Sequence, residues 1–364
     1  MWTTFIYDQY HLTYSKKWIC EVLSLHFFLM ALDKAFLELP ETETFNVFRV
    51  EKFNIVPWKD IGQFYSGDAY IVLNAVKVAQ SDRIERDIYF WLGTDSTQDE
   101  QGTAAIKTVE LDDRFDGEPT QHREVQGHES DEFLELFDKY GGIRYLDGGI
   151  ETGFRKPTGT EPHTMLFHIK GRKHPVLQQV KVSGESLNQG DAFILVTAKT
   201  LYLWIGSSAN YMEKNKAAQS FSGFRSIFPK HDYVRLDDGE TSPEFWEALG
   251  GETPIKSAAA GGADAEHEAS NTRKIYQIEN GKFNLIAEGS AATRDKLEAG
   301  KVYIVSRGEN AVVFFGEGIS RDQIKQGIQK GVDFLKANNL PTYTSITVAR
   351  AGKPSGRLAL LFSS

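Results

Sequence analysis

The feature that most restricts this chain is a phrase it uses three times. Residues 67–73 read GDAYIVL, residues 190–196 read GDAFILV, and residues 300–306 read GKVYIVS. A phrase that recurs along a chain marks a repeated structural unit and decides the architecture before any single element does. After a short loop, each copy leads into a second apolar run: DIYFWLG, TLYLWIG and AVVFFG. Short runs of β-branched and aromatic residues bounded by turn residues read as strands. A helix is expected after each pair of strands. Thr97 stands three residues before Glu100, Asn210 three before Glu213, and Ser320 three before Gln323. That is the spacing of an N-cap with an acid or amide at the third helical position. A shorter second helix is expected in the first two units, at ESDEFLELFDKY and SPEFWEALG. The fold class is α+β, with consecutive strands packing against helices in each of three tandem units.

Composition sets the divisions. Residues 1–42 are an atypical lead, 43–155 unit one, 156–255 unit two, 256–272 a linker and 273–364 a degenerate unit three. KPTGTEPH at 156–163 is a Pro/Gly-rich joint, and KSAAAGGADAEHEAS at 256–270 has the composition of a flexible linker. The net charge of −9 argues against whole-protein nucleic-acid binding. The single cysteine, Cys20, allows neither an internal disulfide nor a thiolate zinc site. The apolar stretch at 18–32 is interrupted by Glu21, Ser24 and His26. It is short for a membrane span and lacks the order of a signal peptide, so a helix packed on unit one, or an atypical start, is expected there.

The acidic residues carry the chemistry. Asp68 opens a strand and Glu100 lies in the first turn of the following helix; Asp191 and Glu213 repeat the arrangement, and Lys301 and Gln323 hold the same places in unit three. Capping alone would explain each Glu, and turn formation each Asp. Unit three separates the readings, because Gln can still cap while a pair of negative charges is lost together. The pairs therefore read as cation sites in units one and two. Ca²⁺ is the natural ion, since it takes carboxylates, backbone carbonyls and water in irregular geometry. The carbonyls of Gly67 and Gly190 adjoin the two Asp residues. An enzyme is not expected, because the chain has no phosphate-binding glycine motif and no nucleophile motif.

These residues resemble a known family. FRVEKFNIVPW, FYSGDAYIVL, YFWLGTDSTQDEQGTAAIKTVELDD, QHREVQGHESDEF and GGIETGF resemble the first domain of gelsolin, and GDAFILV with LYLWIGSSANYMEKNKAAQ resembles the second. Three repeats are similar to the severin and fragmin type within the gelsolin/villin family. The resemblance implies a central mixed sheet between a long and a short helix in each domain. It implies Ca²⁺-regulated severing of actin filaments with barbed-end capping and nucleation, in the cytoplasm and cytoskeleton. Capping without severing, or a phosphoinositide-binding scaffold, is the alternative.

The resemblance also assigns residues. Calcium in unit one would be held by the Gly67 carbonyl, Asp68, Glu100 and the Ile150 carbonyl. In unit two the set is the Gly190 carbonyl, Asp191 and Glu213, with Asp264 from the linker. A second calcium of unit one, at the actin interface, would use Asp112 and the carbonyls of Gly117 and Pro119, while Asp113 and Asp116 read as solvated surface. On the long helix Ala105, Val109 and Asp112 form one side by helical spacing, and Ile106 and Glu110 another. The family wedges this helix into actin, which points to Ile106 with Glu110 beside it. Lys214, Lys216 and Arg225 extend an actin-facing surface on unit two. Arg155, Lys156, Lys170, Arg172 and Lys173 form a basic patch for phosphoinositide head groups. Unit three, lacking the pair, is expected to hold no calcium of this kind.

Overall fold

The same five-strand sheet is built three times. The computed structural model describes residues 32–149, 164–171, 175–261 and 272–363. Unit one contributes β1 (Thr44–Glu51), β2 (Asn54–Pro57), β3 (Gln63–Tyr65), β4 (Ala69–Lys77), β5 (Ile84–Leu92), β6 (Thr120–Val125) and β7 (Arg144–Leu146). Unit two contributes β8 (Met165–Lys170), β9 (Val176–Val180), β10 (Ala192–Val196), β11 (Thr200–Ile205) and β12 (Asp232–Leu236). Unit three contributes β13 (Lys274–Glu279), β14 (Lys282–Glu288), β15 (Val302–Arg307), β16 (Asn310–Phe315) and β17 (Ser345–Arg350). The strand orders are β2-β1-β4-β5-β6, β9-β8-β10-β11-β12 and β14-β13-β15-β16-β17, with β3 and β7 paired apart. In each unit the last pair is parallel and the others antiparallel.

A parallel pair needs a crossover, and the long helix is that crossover. It runs Gln98–Arg114 in unit one and Tyr211–Ile227 in unit two. In unit three it is broken into Arg321–Ile324 and Gly327–Ala337. Strand alternation then sends side chains to two cores per unit. In unit one, Ile71 and Leu73 pack with Ala104 and Leu111 of the long helix, while Tyr70 and Val72 pack with Phe133 of the short helix Asp131–Glu135. Units two and three repeat this with short helices Pro243–Ala248 and Gly356–Phe362. The short helix of unit three is an element that periodicity in the first two units did not extend to the third.

In every unit glycine closes the strand that leads into the long helix (β5, β11 and β16), because backbone passes directly over it. A Cβ at Gly93 would lie 2.2 Å from the Ser66 carbonyl oxygen, at Gly206 2.5 Å from that of Gln189, and at Gly316 2.3 Å from that of Glu298.

The sheets of units one and three are continuous. β17 pairs antiparallel with β6 through Ile346–Arg123, Thr347–His122 and Val348–Gln121, giving one ten-stranded sheet, while unit two keeps its own. The lead also enters unit one. Phe36 and Leu39 are buried in its core and Phe36 meets Phe48 edge-on, so the packing of unit one begins before residue 43. Among the described residues no helix is long and apolar enough to cross a membrane. Most of the apolar stretch at 18–32 lies outside the described residues.

Candidate functional site

Asp68 and Glu100 occupy one corner of unit one, where strand β4 begins and the long helix starts. Asp68 is fully buried. Arg49 of β1 holds it, Nε donating to Oδ2 at 2.7 Å and a second guanidinium nitrogen also paired with Oδ2. The guanidinium lies over the rings of Tyr65, at 4.7 Å, and Trp58, at 5.1 Å. Glu100 caps the helix, accepting from the Thr97 backbone N–H at 2.9 Å and hydroxyl at 3.0 Å while Thr97 Oγ1 accepts from the Glu100 N–H. Glu100 is thus the cap and at the same time a buried carboxylate.

The corner of unit two is built the same way. Asp191 Oδ2 accepts from His168 Nε2 at 2.7 Å and from Asn188 Nδ2 at 2.8 Å. Burial pushes the Asp191 carboxyl up, but these bonds and the charge of Lys170 outweigh it and hold it below the usual range. Glu213, almost wholly buried, accepts from the N–H groups of Asn210 and Gly171, each at 3.0 Å. In unit three Lys301 is partly exposed and pairs with Glu298 at 2.6 Å. Ser320 starts the helix there but makes no capping bond to its backbone; its hydroxyl donates to the Gln323 side chain at 3.0 Å. The expected capping box is therefore formed in units one and two and not in unit three, where the helix breaks after one turn.

The candidate ligands at these corners, carboxylate and backbone carbonyl oxygens, are of the kind calcium takes. The cradle is specific as well: a Cβ at Gly149 would stand 2.6 Å from Asp68 Oδ1, so only bare glycine backbone can face that oxygen. In unit two a Cβ at Gly190 would meet Asn188 Oδ1 at 3.1 Å and Ala258 at 3.2 Å, so the start of the linker passes this corner. Among the described residues no trio of His, Cys, Asp or Glu is placed to hold a metal. A site of two carboxylates with backbone carbonyls does not require one. Ile150 and Asp264 lie outside the described residues, as do Arg155, Lys156, Arg172 and Lys173 of the basic patch. Lys170 stands partly buried at the end of β8.

At the far end of the first long helix, the structure corrects the sequence reading. Asp113, expected as solvated surface, is paired with Arg321 at 3.0 Å and Lys325 at 2.8 Å of unit three. Arg350 donates to the Gly117 carbonyl and Lys353 pairs with Glu118 at 2.8 Å. Asp116 is solvent-facing as expected, with Arg321 3.9 Å away. Asp112 is buried, with Oδ1 free of any hydrogen-bond partner among the described residues. Burial pushes its carboxyl up to about 6 against the pull of Arg350 and Arg321. Asp112, Gly117 and Pro119 line one small cavity with Ile324, Val348 and Arg350, and the Gly117 carbonyl there accepts from Arg350. Nothing local in the sequence ties residues so far apart to one another, which is why these four cations were missed.

The inward face of that helix is Ala104, Thr108 and Leu111, with Ala105 partly buried against the same core. Ile106 is 66% exposed, and Glu110 pairs with Lys107 at 2.7 Å. On unit two, Lys216 pairs with Asp138 of unit one, and Arg225 lies 4.4 Å from the Tyr233 ring centre. Lys216 is thus a contact between units here rather than an open cation, and Lys214 is half-buried.

Fold and corner together define a class: a tandem-repeat α+β protein with paired acids in two of its three units. The Gelsolin repeat family model matches residues 55–134 and 173–246. Actin depolymerising venom protein gelsolin 1 of Platymeris rhadamanthus is 33% identical over 331 residues, covering 86% of this chain and 87% of that protein. Gelsolin of Gallus gallus is 38% identical over 245 residues, 66% of this chain and 31% of its own length. Villin-2 of Arabidopsis thaliana is 35% identical over 325 residues, 87% of this chain and 33% of its own length. This chain belongs to the gelsolin/villin family. It spans most of the first relative and about a third of the other two.

Proposed function

We propose that this chain is a calcium-regulated actin-binding protein that severs filaments and caps their barbed ends. One observation carries the reading: in units one and two a buried Asp opens the strand and a buried Glu stands in the first turn of the long helix, and a Lys and a Gln replace them in unit three. The relative named as actin depolymerising, similar over most of its length, supports actin as the partner. Asp68, Glu100 and the Gly67 carbonyl would hold calcium in unit one, and Asp191, Glu213 and the Gly190 carbonyl in unit two. Bound calcium supplies the positive charge that lets two carboxylates share one buried corner.

The chain's own residues define what has to move. Arg321 and Lys325 hold Asp113, Arg350 holds the Gly117 carbonyl, and β17 holds β6. In the active form these contacts part, and the long helix of unit one presents Ile106 to an apolar cleft of actin. An exposed isoleucine on its own needs no explanation; on this helix, in this family, it is the anchor of the reading. Unit two then engages the filament side through Lys214 and Arg225, with Lys216 freed from Asp138. Phosphoinositide binding at Lys170 and the flanking cations, and a cytoplasmic setting, belong to the same reading. The test is direct observation of fluorescent actin filaments. Fragmentation is expected in calcium and not with a chelator. Intact filaments in calcium whose barbed ends merely stop growing would remove severing and leave capping, and filaments that behave identically with and without calcium would remove the calcium reading.

A further inference from the structure

The registers of the three sheets single out one further position. Arg49 of β1 pairs with Tyr70, His168 of β8 with Phe193, and Gln277 of β13 with Tyr303. Tyr70, Phe193 and Tyr303 each lie two residues after Asp68, Asp191 and Lys301, so Arg49, His168 and Gln277 are structural equivalents. In the two units that carry the acid, this neighbouring strand supplies an N–H donor to the same carboxylate oxygen, Oδ2, at the same distance of 2.7 Å. Both donors are clamped by aromatic rings. Arg49 lies over Tyr65 and Trp58, and His168 stacks on Phe193 with ring centres 4.6 Å apart and planes 5° from parallel. In unit three the position two residues before Gln277's strand partner is Lys301, which has no carboxylate and turns to Glu298.

We infer that Arg49 and His168 are positioning residues for the calcium corners: each pins Oδ2 of its aspartate and thereby aims Oδ1 at the ion. In unit one the aimed oxygen is the one that faces the bare backbone of Gly149. The inference rests on the calcium reading above and adds to it residues that touch the ligand rather than the ion. Partners that orient a metal-ligating carboxylate are worth about 10–100-fold in metal affinity. A donor that merely competed with calcium for the carboxylate would have the opposite effect, because removing it would tighten binding.

His168 gives the cleaner experiment, since its side chain is 19% exposed where that of Arg49 is 3% exposed. Calcium is titrated calorimetrically into the full chain, and the binding event lost in D191N is assigned to unit two. H168A is expected to weaken that event about 10–100-fold. H168Q, whose amide N–H reaches where Nε2 stood, is expected to restore most of it. R49M and R49K make the corresponding pair in unit one, read against D68N. Unchanged or tighter calcium binding in H168A, or no recovery in H168Q, would overturn the positioning role while leaving the calcium sites standing. A wild-type chain with no event abolished by D68N or D191N would overturn the calcium reading itself, and this inference with it.

Discussion

Units one and three have the same strand order and the same close-packed glycine, yet opposite corners. Unit one buries an acid against a clamped arginine and starts its long helix with a complete capping box. Unit three puts a partly exposed lysine at the same point, leaves the helix without a backbone cap and breaks it after Ile324. The fold survives the exchange, so the acid pair is not what the architecture needs. What it needs is common to both: alternating apolar strands, a crossover helix, and a strand end on which backbone can sit. Unit three instead carries surplus cations, and it spends them on unit one, at Asp113, Gly117, Glu118 and Glu124. On the function proposed above, the acidic units would hold calcium, while the basic unit clasps unit one.

The clasp is where this comparison breaks hardest. Arg357 leads the last helix of unit three, is buried, and reaches into unit one to pair with Glu132 at 2.8 Å and Glu124 at 3.6 Å. It also donates to Asn310 at 2.6 Å and Ser345 at 2.7 Å. Burial lowers its pKa, but the two glutamates outweigh that and raise it. Removing one partner of a buried pair leaves the other charge unpaired and costs about 3–5 kcal/mol. Arg357→Ala is therefore expected to lower the denaturant midpoint more than any other single change to unit three, and to raise the sensitivity of the joined sheet to proteolysis. A midpoint within error of wild type would mean that unit three does not depend on unit one for its stability.

What could be read from the sequence follows the reach of each interaction. The strands around Asp68 and Asp191, the caps at Thr97 and Asn210, and the buried Trp91 and Trp204 are set by neighbours within a few residues, so their periods and spacings show them. The clasp joins residues more than two hundred positions apart, and edge pairing of β17 with β6 has no local signature. Arg49 and His168 sit one strand away from the acids they hold, and only the register brings them there. Gly327 and Gly331 explain the third long helix: a Cβ at either would fall 2.6 Å from Val348 or 2.5 Å from Ile346. That helix lies directly on β17, and an ordinary helical pattern could not show so close an approach.

The shared requirement is tested next. Gly93→Ala and Gly316→Ala each force a methyl group against a backbone carbonyl that cannot swing aside. Overpacking of this kind costs about 1–3 kcal/mol. The two variants are expected to be destabilised alike by thermal unfolding, although one belongs to an acidic unit and the other to the basic one. A G316A protein as stable as wild type beside a damaged G93A protein would show that unit three has relaxed its fold as well as its corner.

The smallest effect makes the sharpest contrast. Thr97 and Ser320 hold the same cap position, and both are hydroxyl residues of the kind preferred there. Thr97 Oγ1 accepts the Glu100 N–H and donates to the Glu100 carboxylate. Ser320 spends its hydroxyl on a side chain that is itself exposed. Loss of a working cap costs about 1 kcal/mol, whereas an exposed substitution that removes no such bond stays within about 0.5 kcal/mol. Thr97→Ala is expected to lower the unfolding midpoint measurably and Ser320→Ala to leave it unchanged. The same pair separates the two roles of Glu100. If T97A also weakens calcium binding at unit one, the cap is what holds the second carboxylate at the corner; if calcium affinity is untouched while stability falls, Glu100 reaches the ion without help from the cap.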